Sequence, residues 1–313
     1  MFDLLCNAEV IVDDVAVAEK VFVEALGFPE PRPSWGSTEP GSGFTYLFAR
    51  VHPSLVVSPT RIEAMAVAPL DPHRDPLTTL PFLPDLLAAQ GDRPWKTHAN
   101  EIATSDIRAV AARLREGGAQ FYEMPGIFTR LWLGWTEDNP GDYRPDSDGG
   151  LFIEVVETSA LGKGDALWDP IPEPELPPGS MVRVLRRSWI TEDLGATVDA
   201  LGNNLGLAPA VGPVLDESLA ARQAIYRFAH PRSAELQVLQ PLSAGEIQES
   251  LDTWGPGSWA IRIGVNDLVS KAEDLRHRGT EFTVRPSGHG GHLLRVDTGT
   301  FGVPGIFEFD PML

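Results

Sequence analysis

The stretch THANEIATSDI, residues 97–107, brings a histidine and a glutamate together in a run that otherwise has the pattern of a buried strand. His98 and Glu101 are residue types that can bind a metal ion or transfer a proton. A buried polar group without a hydrogen-bond partner is costly, so such side chains need partners. They are therefore either satisfied core residues or residues that face a cavity and do chemistry.

Two other features could carry chemistry. In SGHGGHLL, residues 287–294, His289 and His292 are a pair that could bind a metal ion. The glycines around them favour a hairpin turn between strands instead. Cys6 is the only cysteine, which excludes an intrachain disulfide. It has no base beside it, so we expect a buried small apolar residue and not a nucleophile.

The elements that must position these residues repeat along the chain. Four segments share a short apolar strand, an aspartate, an amphipathic helix and a glycine, and their aspartates are Asp14, Asp106, Asp193 and Asp267. Each aspartate predicts a helix N-cap, and each glycine predicts the end of the helix. Strand-like stretches follow every helix. Each unit is therefore predicted to be a strand, a helix and two or three further strands.

The Pro-rich stretch ALWDPIPEPELPPGS, residues 166–180, separates the second unit from the third. It can form neither a helix nor a central strand, so we expect a linker over 161–177. Two domains follow, at residues 1–160 and 178–313, and the length of 313 residues agrees with that number. Each domain would pair two units around a shared core.

The composition limits the partners. A net charge of −19 argues against nucleic acid or an anionic membrane as a partner. The N-terminal residues lack the features of a signal peptide, and no apolar run approaches the length of a membrane span. We therefore expect a cytoplasmic monomer or homodimer that acts on a small molecule.

The repeated pattern is clearest in AEVIVDDVAVAEKVFVEALGF, where the helix ends in Leu-Gly-Phe. This pattern resembles the vicinal oxygen chelate superfamily, which includes glyoxalase I, bleomycin-resistance proteins and extradiol ring-cleaving dioxygenases. The resemblance covers nearly the whole chain outside the linker, in a tandem four-module form. It implies an α+β fold in which four βαβββ modules pair into two open-cup domains of mainly antiparallel strands. It also implies a divalent metal ion inside a cup, with ligands from the first and last strand of each module.

Carried over position by position, the resemblance implies a metal site in the first cup. Asn7 and Glu63 would come from the first module, and His98 and Glu154 from the second, with Zn, Fe, Mn, Co or Ni as the ion. Each assignment has a simpler alternative. His98 could be a hydrogen-bonded core histidine, Glu154 could face solvent, and Glu63 could form a surface pair with Arg61.

The first-strand positions do not match perfectly. Asn7 lies 7 residues before its capping aspartate, whereas His98 lies 8 residues before its own. A one-residue bulge near Asn100 would reconcile the two spacings. Without that bulge Glu9 and Glu101, each 5 residues before its aspartate, become the equivalent pair. Both versions stay open.

The second half departs from the pattern. Its first strands offer Arg186, Arg187 and Arg262, and its last strands offer Gln237 and Glu308. Cationic residues beside a metal ion are unfavourable, so this half is expected to be structural or to bind an anionic group. The two-histidine, one-glutamate site that extradiol dioxygenases carry in their second half has no counterpart here.

The resemblance therefore favours a metal-dependent isomerase or lyase of glyoxalase-like type, with Glu63 or Glu154 as the base that moves a proton. Its substrate would be a small aromatic or hydroxycarbonyl compound. The alternatives are an extradiol-type dioxygenase and a metal-free protein that binds a drug or metabolite, as bleomycin-resistance proteins do. Aromatic residues near the second module could line the substrate pocket, namely Phe121, Tyr122, Phe128, Trp132 and Trp135.

Overall fold

The structure is a computed structural model that describes residues 2–29, 40–52, 54–74, 79–80, 83–124, 128–136, 142–161, 167–169, 175–287 and 290–312. The strands in these ranges are β1 Phe2–Leu5, β2 Asn7–Ile11, β3 Ser42–Ala49, β4 Arg61–Leu70, β5 Asn100–Thr104, β6 Phe121–Met124, β7 Arg130–Leu133, β8 Ile153–Glu157, β9 Met181–Ile190, β10 Val211–Asp216, β11 Ala221–Tyr226, β12 Glu235–Pro241, β13 Gly257–Val265, β14 Thr283–Pro286, β15 His292–Asp297 and β16 Ile306–Pro311. The α-helices are α1 Val15–Lys20, α2 Leu83–Ala88, α3 Ile107–Gly117, α4 Leu194–Ala200, α5 Glu246–Trp254 and α6 Leu268–His277.

The strands form one sheet in the second half of the chain and two sheets in the first. The second-half sheet has the order β10-β11-β12-β9-β13-β16-β15-β14, and the first-half sheets have the orders β1-β5-β8-β7-β6 and β2-β4-β3. The pairs β2/β4, β5/β8, β9/β12 and β13/β16 are parallel. The remaining pairs in the described residues are antiparallel, for example β3/β4, β7/β8 and β9/β13. The predicted α+β fold with mainly antiparallel strands is confirmed.

The first-half sheets separate at Cys6, between β1 and β2. β1 pairs with β5, whereas β2 pairs with β4. Cys6 itself donates its backbone N–H to Glu101 O at 2.8 Å and accepts from Arg61 N at 2.8 Å. In the second half the single strand β9 pairs with both β12 and β13. Cys6 is buried, as expected of a small apolar residue.

The predicted helix starts are confirmed. The side chains of four aspartates accept hydrogen bonds from backbone N–H groups of the first helical turn, and these N-caps are Asp14, Asp106, Asp193 and Asp267. Gly118 ends α3 with a φ of 68°, a left-handed conformation that glycine adopts without strain. In the part of the chain that the structure describes, no helix is long and apolar enough to cross a membrane.

The two halves of the chain share one hydrophobic core. The ring centroids of Phe22 and Phe307 lie 5.8 Å apart, and those of Phe152 and Trp189 lie 6.2 Å apart. Helix α6 also contacts the segment that follows α1, because Lys271 Nζ donates to Leu26 O at a distance of 2.7 Å. The domain limits at 160 and 178 stay a prediction, and much of the predicted linker lies outside the described residues.

Candidate active site

Two pairs of glutamates face each other across the parallel strand pairs of the first half. Glu9 on β2 stands opposite Glu63 on β4, and Glu101 on β5 stands opposite Glu154 on β8. Glu9, Glu63 and Glu154 are buried, and Glu101 is partly buried. Like charges opposite one another on neighbouring strands repel, more strongly away from water. The stability of the sheets therefore does not explain this row of four glutamates.

Asn7 connects the two glutamate pairs. Its Nδ2 donates to Glu63 Oε2 at 2.8 Å and to Glu101 Oε2 at 2.7 Å, while its Oδ1 accepts from Arg61 Nε at 2.9 Å. The Arg61 guanidinium lies 3.8 Å from the centroid of the Phe48 ring. An amide that donates to two carboxylates holds them together despite their repulsion.

His98 lies between the other two glutamates. Its Nδ1 contacts Glu9 Oε2, and its Nε2 lies 3.6 Å from Glu154 Oε2. Burial acts to lower the pKa of His98, but the carboxylates of Glu9, Glu154 and Glu63 outweigh it and raise the pKa well above its usual value. The ring centroid lies 5.5 Å from that of Trp132. The arrangement favours an imidazolium held between two carboxylates.

The segment before β5 wraps around the Glu9 carboxylate. Glu9 Oε2 accepts from the backbone N–H groups of His98 at 2.8 Å and Ala99 at 3.0 Å, and from Thr97 Oγ1 at 2.9 Å. Trp95 Nε1 donates to Glu9 O at 3.0 Å. Glu9 Oε1 is buried and has no hydrogen-bond partner among the described residues. These contacts fix one carboxylate oxygen firmly.

The structure corrects the position of His98 and brings the predicted residues together. His98 lies in a bend, and β5 begins only at Asn100, so its prediction as a strand residue is wrong. The strand register instead gives Glu9 and Glu101 matching positions, each opposite a glutamate of the last strand. That is the alternative which the spacing left open. Contacts and register nevertheless gather all six candidates into one cluster, namely Asn7, Glu9, Glu63, His98, Glu101 and Glu154.

The cluster can hold a proton near neutral pH. Burial, together with the charges of Glu9 and Glu101, raises the pKa of Glu63 to about 8, although the charge of His98 opposes the shift. Burial and the charge of Glu154 raise the pKa of Glu101. A carboxyl group whose pKa lies close to the working pH can act as a general acid or base.

Aromatic side chains stand beside the glutamates on both sides of the cluster. Phe48 on β3 is directly opposite Glu63, and Trp132 on β7 is directly opposite Glu154. Tyr46 lies on the same face as Phe48, with ring centroids 5.0 Å apart. Tyr46 and Phe48 are only partly buried. They offer an apolar wall next to carboxylates.

The aromatic residues that were predicted to line a substrate pocket lie in different parts of the structure. Trp132 lies at the cluster, whereas Trp135 packs on Tyr143 with ring centroids 5.0 Å apart. Phe128 packs against a separate small core around Leu4 and Cys6. Tyr46 and Phe48 were missed by the sequence analysis. The alternation in FTYLFAR places them on one face, which is the signal that could have found them.

The donor types suit a divalent metal ion, but their arrangement in this structure does not fit one. No group of three or more His, Cys, Asp or Glu side chains among the described residues could hold such an ion. Both ring nitrogens of His98 face carboxylates, and the Asn7 amide nitrogen, not its oxygen, contacts Glu63 and Glu101. A protonated imidazole and an N–H group cannot act as ligands. The metal ion on Asn7, Glu63, His98 and Glu154 stays a prediction, and we derive no chemical step through it.

The second half has polar or oppositely charged pairs where the first half has facing glutamates. Arg262 on β13 stands opposite Glu308, and Ser188 on β9 stands opposite Gln237. Arg186, two residues before Ser188, stands opposite Glu235. Arg262 donates to Glu308 Oε2 from Nε at 3.0 Å and from Nη2 at 2.8 Å. Gln237 accepts from Ser188 Oγ at 2.7 Å. Each acid of this row stands opposite an arginine, whereas each glutamate of the first half stands opposite another glutamate.

Two further candidates are not part of either row, although Arg187 lies close enough to Glu9 for the two charges to interact. Arg187 is fully buried, and its guanidinium lies 4.5 Å from the centroid of the Trp95 ring. His292 begins β15 and is exposed, whereas His289 lies outside the described residues. β14 and β15 form the hairpin that the glycines predicted.

No family model matches the chain, and no curated protein matches it. Among solved structures it is similar to a mutant of 4-hydroxymandelate synthase from Streptomyces coelicolor, with a TM-score of 0.64 and 16% identity over 99% of this chain and 93% of that one. Methylmalonyl-CoA epimerase from Mycobacterium tuberculosis aligns with 45% of this chain and 95% of its own, at 19% identity and a TM-score of 0.40. A hypothetical protein from Bacillus halodurans aligns with 42% of this chain and 94% of its own, at 17% identity and a TM-score of 0.37.

The likeness to the synthase structure shows the fold of this chain. That structure has the vicinal oxygen chelate fold, so the resemblance predicted from the sequence is confirmed at the level of the fold. The tandem four-module form stays a prediction. At 16% identity the likeness carries no information about the reaction.

Proposed function

We propose that the chain is an enzyme that moves a proton on a small oxygenated metabolite, a glyoxalase-like isomerase or lyase, with the glutamate cluster of the first half as its active site. The observation that supports this most is the burial of facing glutamates around one histidine. Buried charges that oppose the stability of a sheet are typical of functional sites.

The geometry supports distinct roles for two glutamates. Glu63 on β4 and Glu154 on β8 are separated by β2 and β5, so they stand on opposite sides of the cluster. One of them would take the proton from a carbon next to a carbonyl, and the other would return a proton to the product. The charges of His98 and Arg61 would stabilise the negative charge that develops on the carbonyl oxygen.

The contacts of the remaining residues suit orientation of the reacting groups. Asn7 would hold Glu63 in place through its Nδ2 group, and Glu9 would hold the His98 ring. Phe48 and Tyr46 would exclude water and contact an apolar part of the substrate. An aromatic or hydroxycarbonyl compound fits this combination of a polar cluster and an apolar wall.

A screen for proton exchange tests the proposal. Hydroxycarbonyl compounds and catechols are incubated with the purified chain in D₂O, and oxygen consumption is followed in parallel. We expect deuterium at a carbon next to a carbonyl and no oxygen uptake, and the reaction is repeated with a chelator. A chelator-sensitive activity that Zn, Fe, Mn, Co or Ni restores would show that a metal ion takes part and that the described contacts of His98 give way to it.

Two results would replace the proposal. Fe(II)-dependent oxygen uptake with a catechol would indicate a dioxygenase, which normally needs two histidines and one carboxylate. Tight binding of an aromatic compound without turnover would indicate a metabolite-binding protein of the bleomycin-resistance type. Either outcome keeps the fold and removes the assigned role of Glu63 and Glu154.

A further inference from the structure

The second half contains a cavity that the proposed reaction does not use. It has a volume of about 410 Å³ and lies where the first residues of β9 meet the start of β12 and the end of β16, beside the connection 227–233. A neighbouring cavity of about 310 Å³, inside the same sheet, shares Arg186 and Arg262 with it. Both volumes are in the range of sites for small metabolites.

The charge of this cavity differs from that of the molecule. The chain has a net charge of −19. The charged residues that line the larger cavity are four arginines and two acids, namely Arg183, Arg186, Arg227, Arg262, Glu235 and Asp310. The adjoining cavity adds Arg285 and Arg295 together with Asp216, Glu246 and Glu308, so six arginines and five acids among the described residues line the two cavities together. A concave site of positive charge on an acidic protein attracts anions.

The contacts of the arginines leave them able to bind a ligand. Arg186 donates from Nε and Nη2 to Glu235 Oε2, at 3.1 Å and 2.6 Å. Arg227 donates from Nε to Glu235 Oε1 at 2.7 Å. One carboxylate therefore orients two guanidinium groups, each of which has five N–H donors. The described bonds occupy only some of these donors.

The solvent exposure of Arg186 and Arg227 also suits the binding of a ligand. The Arg186 side chain is 12% exposed and the Arg227 side chain is 61% exposed. Arg186 is thus fixed at the base of the cavity, and Arg227 can adjust at its mouth. Leu185, Phe228 and Met312 also line the cavity and provide apolar surface for the body of a ligand.

We propose that this cavity binds a small organic anion, with its carboxylate or phosphate group on Arg186 and Arg227. Planar guanidinium groups match both head groups with paired, charge-assisted hydrogen bonds. The site is independent of the glutamate cluster, because its lining residues belong to the second half.

Isothermal titration calorimetry of the full chain with phenyl phosphate and with phenylacetate tests this site. The probe that binds with the higher affinity identifies the preferred head group. We expect saturable binding of one molecule per chain that weakens as the salt concentration rises. Arg227→Gln should lower the affinity for the tighter-binding probe by about tenfold or more, which is the effect of losing one charge-assisted contact. Arg222→Gln, on the exposed side of neighbouring β11, should leave binding unchanged.

Arg227 is exposed, so its replacement should not impair folding, and circular dichroism checks this. Arg227→Glu, which reverses the charge, should weaken binding more than Arg227→Gln does. Absence of saturable binding of both probes at millimolar concentration would overturn the proposal. Equal affinities for the Arg227→Gln variant and the unchanged chain would overturn it as well.

Discussion

The two halves of the molecule carry different side chains at matching points of a similar strand arrangement. Where a first strand runs parallel to a last strand, the first half has Glu9 opposite Glu63, and the second half has Arg262 opposite Glu308. The neighbouring strand adds an arginine in the second half, because Arg295 on β15 is also opposite Glu308. The first half has an aromatic residue there, since Phe48 is opposite Glu63.

This difference separates what stabilises the fold from what serves a site. Ion pairs such as Arg262 with Glu308 neutralise buried charge in the second half. The first half accumulates like charges, and holds them with one amide, Asn7, and one imidazole, His98. The fold therefore does not require acids on both strands. Their presence in only one half is the reason why we propose that half as the place of the chemistry.

The largest expected effect comes from the residue that connects the glutamate pairs. Asn7→Asp removes both hydrogen bonds to carboxylates and adds a negative charge beside Glu63 and Glu101. We expect the free energy of unfolding to fall by about 4 kcal/mol at pH 8. Urea unfolding measures it, with Asn203→Asp on the surface as the matched control. A loss no larger than that of the control would mean that the two glutamate pairs are not held by Asn7.

A smaller effect is expected when single acids are removed from each half. Glu308→Ala leaves buried Arg262 with Asp310 alone, and should cost about 3 kcal/mol of unfolding free energy. Above the Glu63 pKa of about 8, Glu63→Gln removes a charge that stands opposite another glutamate, so we expect no loss or a gain of up to about 1 kcal/mol there. Equal losses in the two variants would contradict the division between the halves.

The two halves should also respond to pH in opposite directions. The pKa of Glu63 is raised from 4.5 to about 8, so its contribution to stability is full below pH 4.5 and is lost as the pH rises through 8. Burial opposes the shift at Glu235, but Arg186 and Arg227 lower its pKa, so its contribution is present above pH 4.5 and is lost on acidification. The free energy of unfolding, measured between about pH 3 and pH 9, should therefore no longer fall at alkaline pH in Glu63→Gln. In Glu235→Gln it should fall less at acidic pH than in the unchanged chain. If the free energy of unfolding still falls at alkaline pH in Glu63→Gln, groups other than Glu63 cause that fall.

Local patterns predicted the elements well. Asp14 and Asp267 cap helices because the capping signal lies within one turn of the helix that it starts. α5 was not predicted, since its N-cap is Gly245, which has no side chain to accept a hydrogen bond. The position of each helix could thus be derived only where its own neighbours encode it.

The residues of the candidate cluster were named from the sequence, but details of their arrangement were not. The spacing correctly marked Glu9 and Glu101 as possible equivalents, because the register of a parallel pair follows strand alternation. The bend at His98 could not be predicted, since its cause is the carboxylate of Glu9 on a distant strand. The placement of Phe48 beside Glu63 likewise depends on cross-strand register, which no local pattern specifies.

The most direct test of the central claim is the rate of deuterium exchange into a turned-over substrate, measured for variants of the first-half cluster. Glu63→Gln and Glu154→Gln should each lower the rate at least about 100-fold, the usual effect of removing a general acid or base. Glu157→Gln, on the same strand as Glu154, is the control and should retain the rate. Exchange that survives both cluster substitutions would contradict the assignment of the chemistry to the first half.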